Sequence, residues 1–231
     1  MYIKSAHFYN AIYKFKDYDG ASKQLHSLIE QYHPNASTLL DVACGTGKHL
    51  GTLQNYYQVQ GLDISPEILT IARNEFPAIP FHEENMIDFN LGHQFDVITC
   101  LFSSIAYVKT VKNLNQAVSS MADHLELGGI MVIEPWVSPE NYWRNKIIAN
   151  FVDEPDLKIS WMYAHEMIDL ISVFNINYLV GTPLGVEHFT ELHEMGLFTH
   201  QQYLDSFQKA GLKVEYDVKG LFGRGMYLGF K

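Results

Sequence analysis

The feature that most constrains this chain is a glycine-rich turn that follows a short apolar run. Residues 37–43 (Ser-Thr-Leu-Leu-Asp-Val-Ala) lead into Cys-Gly-Thr-Gly, which places Gly45 and Gly47 two residues apart. Glycine has no Cβ, so this pair lets the backbone turn sharply and approach a ligand closely. A continuous apolar run before such a turn is typical of a buried parallel strand, and we expect a helix to begin at Lys48.

The spacing of this turn excludes two phosphate-binding motifs. A dinucleotide fingerprint requires a third glycine where Leu50 stands, and a phosphate P-loop requires Ser or Thr where His49 stands. Asp41, near the end of the apolar run, instead suits a ligand that has a cationic amino-acid end and no phosphate. We expect its carboxylate to act on the ammonium of that ligand through water or a backbone contact.

Strand and helix patterns alternate as far as Pro135. Further strands are predicted at 59–63, 79–82, 95–101 and 129–135, and helices at 48–56, 65–75 and 111–125. This alternation predicts an α/β fold of the Rossmann-like class, with a mainly parallel seven-stranded sheet and helices on both faces.

The pattern changes in the second half of the chain. Strand-like runs without intervening helices follow at 157–165, 168–180 and 186–197. We predict an inserted antiparallel β layer over 157–197 that caps the substrate. Residues 1–36 are expected to form N-terminal lid helices, and the whole of 1–231 to form one domain.

Polar residues follow two of the predicted parallel strands. Asp63 ends the second strand and precedes Ile64, and its carboxylate suits the two hydroxyls of a ribose. Asn85 and Met86 follow the third strand, where an amide would recognise an adenine amino group and a thioether would stack on the ring. These residues predict a nucleoside site at the carboxyl ends of the strands.

Composition limits the partners of the chain. There are 26 acidic and 16 basic residues, no two basic residues are adjacent, and the formal net charge is −10. An acidic surface repels phosphate backbones, so we expect no nucleic-acid partner. No apolar run approaches the ~20 residues that a membrane helix needs, and no signal peptide is recognisable, so no membrane partner is expected either. Cys44 and Cys100 are interpreted as reduced core thiols of a cytoplasmic protein.

Three other chemistries lack their motifs. His165-Glu166 is without the second histidine of a zinc helix, and His188 and His193 are five residues apart, so no metal site is expected. Thr99-Cys100 lies inside a predicted strand, where a buried thiol is a better interpretation than a cytosine-attacking nucleophile. An Asn/Asp-Pro-Pro-aromatic turn, which amide and nucleobase methylation would require, is absent after Leu101.

A set of motifs along nearly the whole chain supports one family resemblance. The motifs are Leu39–Gly47, Phe102-Ser-Ser-Ile-Ala-Tyr107, His124-Leu-x-x-Gly-Gly129, Glu134-Pro-Trp136 and Gly223-Arg-Gly225. In order and spacing they resemble the N,N-dimethyltransferases that modify nucleotide-linked deoxyamino sugars in macrolide biosynthesis. The glycine-rich turn alone would indicate only the wider superfamily, whereas the combination is more specific.

The resemblance implies S-adenosyl-L-methionine as the cofactor and a small-molecule acceptor, with a homodimer as the expected assembly. The expected cofactor site comprises Tyr18, Asp41, Ala43, Gly45, Gly47, Asp63, Ile64, Asn85, Met86, Leu101 and Phe102. The expected substrate residues are Tyr9, Ser103, Trp136, His188 and Arg224, and the expected catalytic residues are His124 and Tyr13.

The predicted mechanism is methyl transfer to an amine, with His124 as the general base and Tyr13 beside the amine. Positioning of the amine is an alternative source of the rate. A small-molecule O-methyltransferase and a non-catalytic cofactor-binding subunit also remain open. Asn85, Val137 and Glu187 depart from residues common in the family, and the last two lie where we expect the acceptor pocket.

Overall fold

The computed structural model describes residues 4–143 and 145–231, which form two β-sheets and six α-helices. The helices are α1 (Tyr9–Ile12), α2 (Tyr18–Tyr32), α3 (Lys48–Leu53), α4 (Pro66–Glu75), α5 (Val111–Asp123) and α6 (His200–Lys209). The strands are β1 (Thr38–Val42), β2 (Gln58–Asp63), β3 (Phe81–Glu83), β4 (Phe95–Cys100), β5 (Leu125–Ile133), β6 (Ile147–Glu154), β7 (Leu157–Ala164), β8 (Glu166–Ile168), β9 (Ile171–Thr182), β10 (Gly185–Gly196), β11 (Lys213–Asp217) and β12 (Met226–Phe230).

The first sheet has seven strands in the order β11-β12-β5-β4-β1-β2-β3. Strands β1 to β5 pair in parallel, whereas β12 is antiparallel to both β5 and β11. The predicted fold class is therefore confirmed. The chain proceeds from β1 toward one edge and from β4 toward the other, so the loops after β1 and β4 diverge. In open α/β sheets the crevice at such a switch point is where ligands bind.

Helices cover both faces of this sheet because each presents an apolar stripe to it. Leu114, Val118 and Met121 of α5 are buried against one face, and Leu25 and Ile29 of α2 are buried against the other. Helix α4 begins with a side-chain cap: the Ser65 hydroxyl accepts from the Ile68 amide at 3.3 Å, and Pro66 occupies the first helical position.

The second sheet is antiparallel, in the order β10-β9-β7-β6, with β8 paired to β9. Its inner face forms a core with α1 and with the 3₁₀ turn Ser104–Val108, which follows β4. The buried contacts include Ile12 of α1, Ala106 of the turn and Phe174 of β9. The second sheet therefore packs on the side of the first sheet where the parallel strands end.

Two boundaries differ most from the sequence prediction. The antiparallel layer begins at Ile147 rather than at residue 157, since β6 has apolar residues that do not alternate with polar ones and are mostly exposed. Strand β5 begins at Leu125, where the sequence predicted the end of the preceding helix, and contains Gly128 and Gly129. Gly128 adopts a φ of 84°, and β5 accommodates the glycine pair in an irregular register with β4.

The N-terminal segment is held at both ends. The amides of Lys4 and Ser5 donate to Glu191 of β10 at 2.8 and 3.1 Å. Asn10 accepts from the hydroxyl of Thr46, in the glycine-rich turn, at 2.8 Å. The segment thus connects the second sheet to that turn, although its only α-helix before Tyr18 is one turn long. Within the described residues, no helix has the length and apolar character to cross a membrane.

Candidate functional site

The glycine-rich turn after β1 opens onto a cavity. Ala43 and Gly45 have φ values of 58° and 59°, a left-handed conformation that bends the chain away from the strand. A Cβ at Gly45 would meet only the Tyr9 hydroxyl, at 3.7 Å, so the backbone faces open space. Gly47 has a different role, because a Cβ there would lie 3.1 Å from the ring of Phe81. Gly45 therefore borders a ligand space, whereas Gly47 allows close packing.

Asp63, at the end of β2, connects two loops at this edge of the sheet. Its carboxylate accepts from the amide of Gly45 and from the amide of Ser65, each at 3.0 Å. Burial raises the pKa of this carboxyl group, and these backbone donors oppose the rise. Asp63 therefore fixes the turn after β1 relative to the turn after β2 and also presents a carboxylate to the cavity.

The cavity beside Asp63 has the size and lining expected of a nucleoside site. It encloses about 860 Å³, including the space at its open mouth. Its walls include Tyr9, Ala43, Gly45, Leu62, Asp63, Ile64, Asn85, Met86, Ser104 and Tyr107. A mainly apolar wall with one buried carboxylate suits a flat ring joined to a sugar with hydroxyl groups.

A second, smaller cavity continues behind the glycine-rich turn and shares the walls formed by Tyr9, Ala43, Gly45 and Ser104. Its other walls include Lys16, Tyr18, Asp41, His49, Leu101 and Phe102. Asp41 is buried and accepts from the Thr99 hydroxyl at 2.6 Å, and burial raises the pKa of Asp41 to about 7. A buried carboxylate in this position fits the cationic amino-acid end that the sequence predicts.

Phe102 closes the second cavity and is held in place by Glu134. Phe102 and Ser103 have φ values of 52° and 63°, which bend the chain sharply after β4. The Phe102 amide donates to the buried Glu134 carboxylate at 2.6 Å, and the Ser103 hydroxyl donates to the Pro135 carbonyl at 2.7 Å. These bonds tie the end of β4 to the end of β5 and fix the ring of Phe102.

A third cavity lies beyond Phe102. Its walls include Trp136, Trp143, His200, Tyr216 and Arg224. The Arg224 guanidinium carbon lies 5.2 Å from the centre of the Phe102 ring and 5.8 Å from that of Trp136, and a guanidinium nitrogen lies 3.5 Å from Glu134. Phe102 and Arg224 therefore form the boundary between the second and third cavities.

Comparison with known proteins agrees with this geometry. A methyltransferase-domain family model matches residues 39–129. The dTDP-3-amino-3,4,6-trideoxy-alpha-D-glucopyranose N,N-dimethyltransferase of Streptomyces venezuelae is 37% identical, over 93% of this chain and 91% of that protein. The dTDP-4-amino-2,3,4,6-tetradeoxy-D-glucose N,N-dimethyltransferase of Saccharopolyspora spinosa is 35% identical, over 98% and 92%.

The chain belongs to the family of S-adenosylmethionine-dependent sugar N,N-dimethyltransferases.

Solved structures of sugar N-methyltransferases match this chain over nearly its whole length. DesVI from Streptomyces venezuelae has a TM-score of 0.94 and 35% identity, covering 99% of this chain and 98% of that one. The amino pentose methyltransferase CalS10 from Micromonospora echinaspora, solved with its cofactor, has a TM-score of 0.87 and 30% identity, covering 96% and 94%. The cofactor of this methyltransferase is S-adenosylmethionine. The open space at Gly45, the buried carboxylate of Asp41 and the half-buried carboxylate of Asp63 fit that molecule.

The structure contradicts the prediction that His124 is the general base. His124 lies at the opposite edge of the sheet, where its carbonyl accepts from the amide of Phe95 at the start of β4. One ring nitrogen accepts from the Leu91 amide at 3.0 Å, and the other lies 2.7 Å from the Ser120 carbonyl. The side chain therefore ends α5 and cannot reach an acceptor near Phe102.

Two predicted substrate residues are also placed elsewhere. His188 is exposed on the outer face of the second sheet, where its ring pairs with Asn177 at 3.3 Å. Ser103 is buried, with its hydroxyl committed to Pro135. The neighbouring Ser104 lines the first two cavities instead. The remaining predicted residues, apart from Gly47 and Tyr13, line one of the three cavities, and Tyr13 packs edge-on to Phe102 at 5.7 Å.

Sequence reasoning missed several residues of the site. Lys16 and His49 line the second cavity, Tyr107 lines the first, and Glu134 holds Phe102. Only Glu134 carried a usable signal, because an acidic residue at the end of an apolar strand requires a partner.

Asp63→Asn should weaken binding of S-adenosylhomocysteine at least tenfold, a loss of about 1.4 kcal/mol. The amide lacks the charge that strengthens hydrogen bonds from hydroxyl groups. Because the carboxylate also joins two loops, we expect Asp63→Asn to have a lower melting temperature than the wild type. A residue that only bound the ligand would not have this effect. Calorimetry measures the affinity, and Glu84→Gln, an exposed acidic residue at the same cavity, is the matched control. Equal affinities for wild type and Asp63→Asn would remove Asp63 from the site.

His124→Asn should leave turnover close to the wild-type value while lowering stability. The substitution disturbs two hydrogen bonds at the end of α5, each worth about 0.5–1.5 kcal/mol, and touches no cavity wall near Phe102. Turnover is measured with saturating cofactor and acceptor at a temperature where both proteins are folded. A fall of about 10²-fold or more, the size of a general-base effect, would show that His124 does act in the reaction.

Proposed function

We propose that this methyltransferase transfers methyl groups to the amine of a nucleotide-linked amino sugar. The observation that carries the proposal is the third cavity, which meets the cofactor cavities at Phe102 and Arg224. Two tryptophans suit stacking on a base or a sugar ring, and the guanidinium suits a phosphate group. The Trp136 indole nitrogen is buried without a hydrogen-bond partner among the described residues, so it offers a donor to an acceptor molecule.

The names of the relatives support an amine rather than a hydroxyl acceptor, since these proteins are N,N-dimethyltransferases of dTDP-linked amino sugars. Val137, one of the departures from the family pattern, lines the third cavity. We therefore propose the acceptor class and not one particular sugar.

The chemistry that we propose for the chain is positioning. When bound, the cofactor supplies a methyl group that is already activated by its sulfonium. Phe102 presents an aromatic wall that would orient a neutral amine and exclude water, and Tyr13 packs edge-on against it. The Tyr9 ring lies tilted against Tyr13, with ring centres 4.7 Å apart. Proximity of this kind supplies a large part of many rate enhancements. With His124 at the far edge of the sheet, we propose that solvent takes the amine proton.

The second sheet and the N-terminal segment would act together as a cap over the acceptor. Glu191 holds the start of the segment, and an ion pair of 2.8 Å joins Lys14 to Glu154 of β6. We propose that residues 4–36 and 147–196 enclose the reaction space as parts of a single domain; the first three residues of the predicted lid lie outside the described residues. The two buried thiols, Cys44 and Cys100, suit the reducing cytoplasm that the sequence predicts.

A methyl-transfer assay with mass readout tests the proposed function. Purified protein is incubated with S-adenosylmethionine and, in parallel, with dTDP-linked 3-amino and 4-amino sugars, the corresponding free amino sugars, and phenols. We expect mass increases of one and then two methyl groups on a dTDP-linked amino sugar, and much lower turnover with the free sugar. Turnover of phenols alone would establish an O-methyltransferase and overturn the proposal.

We further propose that the protein is a homodimer. The outer face of the second sheet exposes Phe151, Met162, Leu179 and Leu192 to solvent, and clustered apolar side chains of this kind mark interaction surfaces. Light scattering after size-exclusion chromatography should give twice the chain mass of 26.5 kDa, and Met162→Lys should give the chain mass. A wild-type monomer would contradict the assembly.

A further inference from the structure

Two buried hydrogen-bond donors line the second cavity and have no partner there. The ammonium nitrogen of Lys16 and the Nε2 atom of His49 are both inaccessible to solvent, and neither has a hydrogen-bond partner among the described residues. Buried polar groups are nearly always satisfied, so each unsatisfied one requires an explanation. Two that share one cavity wall point to a ligand group that accepts hydrogen bonds from both.

Lys16 has aromatic neighbours in place of an acceptor. Its ammonium lies against the Phe102 ring and 4.4 and 5.4 Å from the ring centres of Tyr13 and Tyr18. Burial, reinforced by the charge of Arg224 and opposed by Glu134, lowers the pKa of Lys16 to about 5. One oxygen of Glu134 accepts from the Phe102 amide, whereas its Oε1 lies 3.5 Å from Arg224 and has no hydrogen-bond partner among the described residues. Glu134 is therefore close enough to act on the charge of Lys16 but is not hydrogen-bonded to it.

His49 is held so that one ring nitrogen remains available. Its Nδ1 lies 2.9 Å from the Ser22 hydroxyl, which is also 3.5 Å from the carbonyl oxygen of His49. We assign the ring proton to Nε2, with that hydroxyl donating to Nδ1. Burial, with a smaller effect of Lys16, lowers the pKa of His49 to about 4, so the ring is neutral at physiological pH. His49 therefore offers a neutral N–H donor, next to the Tyr18 ring at 5.1 Å between centres.

We propose that Lys16 and His49 bind the carboxylate of the methionine end of S-adenosylmethionine. The second cavity continues from the nucleoside cavity, so it is where the amino-acid end of the cofactor would lie. Asp41 lines the same cavity and supplies the opposite charge for the ammonium. Lys48, the other lysine at this cavity, is already paired with Glu75. The cavity thus offers a zwitterion one carboxylate, that of Asp41, and one amine, that of Lys16, which takes up a proton when a carboxylate binds beside it.

The test compares two ligands that differ only in this carboxylate. Calorimetry measures binding of S-adenosylmethionine and of its decarboxylated analogue in the absence of acceptor, so the result does not depend on which acceptor the enzyme uses. We expect the wild type to bind the decarboxylated analogue at least tenfold more weakly. Lys16→Met should weaken binding of S-adenosylmethionine at least tenfold and leave binding of the analogue unchanged, which removes most of the discrimination.

Three further variants control the interpretation. Lys14→Met removes an exposed lysine from the same segment and should preserve the discrimination. Lys16→Arg keeps a cation and should recover part of it. His49→Phe keeps a ring without a donor and should reduce the discrimination by a smaller factor than Lys16→Met, because a neutral donor forms a weaker bond to a carboxylate than an ammonium does.

Proton uptake gives a second readout. At pH 8 the empty protein holds Lys16 neutral and Asp41 mostly ionised, and a bound carboxylate raises the pKa of Lys16. Binding should therefore take up protons in wild type and fewer in Lys16→Met, as measured in buffers of different ionisation enthalpy. Both proteins contain the other titratable groups around Lys16, so proton uptake by those groups cancels in this comparison. The groups are Arg224, Glu134, His49, Lys48, Tyr13 and Tyr18.

Two outcomes would overturn the proposal. Equal weakening of both ligands by Lys16→Met, with its fold intact by circular dichroism, would show that Lys16 shapes the cavity without contacting the carboxylate. Unchanged cofactor binding together with a raised KM for the nucleotide-sugar acceptor would place Lys16 at a phosphate of the acceptor instead.

Discussion

The reaction centre depends on one buried hydrogen bond, from the Phe102 amide to the Glu134 carboxylate. Phe102 and Ser103 both adopt left-handed backbone conformations, which cost free energy unless neighbouring groups hold them. Glu134 supplies that restraint from the adjacent strand end, and the bond from Ser103 to Pro135 adds a second. Because the strand ends are joined here, the Phe102 ring stands between the cofactor cavities and the cavity lined by Trp136 and Arg224. We therefore expect the methyl donor and the acceptor to meet beside this ring.

Asp63 restrains the backbone in a similar way on the other side of the switch point, after β2. Its carboxylate accepts hydrogen bonds from the amides of two loops, which follow the neighbouring strands β1 and β2. The same charged group therefore shapes the cavity and also faces the ligand. Burial makes both Asp63 and Glu134 costly to ionise, and backbone donors offset part of that cost. These hydrogen bonds therefore hold the cofactor site in place. The cap is a separate part of the molecule and consists of the N-terminal segment and the second sheet.

Much of the fold could be predicted from the sequence because parallel strands in such sheets are buried on both faces and appear as continuous apolar runs. The runs ending at Asp41 and Asp63 identified the carboxyl edge of the sheet, and most of the predicted cofactor residues lie there. Strand β6 was missed although Ile-Ile-Ala-Asn-Phe-Val is rich in apolar residues, because most of its residues are exposed and its apolar residues do not alternate with polar ones. His124 and His188 were misplaced because residue type and order do not reveal the strand end or sheet face on which a side chain lies. Sequence reasoning did not identify Lys16 or His49 as ligand contacts, since the absence of a hydrogen-bond partner is a property of packing alone.

We expect the methyl group of the bound cofactor to lie beside Phe102, between the nucleoside cavity and the cavity lined by Trp136 and Arg224. The most direct measurement is an NMR experiment on the protein with S-adenosylmethionine carrying a ¹³C-labelled methyl group, in the absence of acceptor. Nuclear Overhauser effects should connect that methyl group to the Phe102 and Tyr13 rings, and Phe102→Leu should remove the aromatic signals assigned to Phe102. A bound methyl group that shows contacts only with residues at the opposite edge of the sheet, such as His124 or Phe89, would contradict the account.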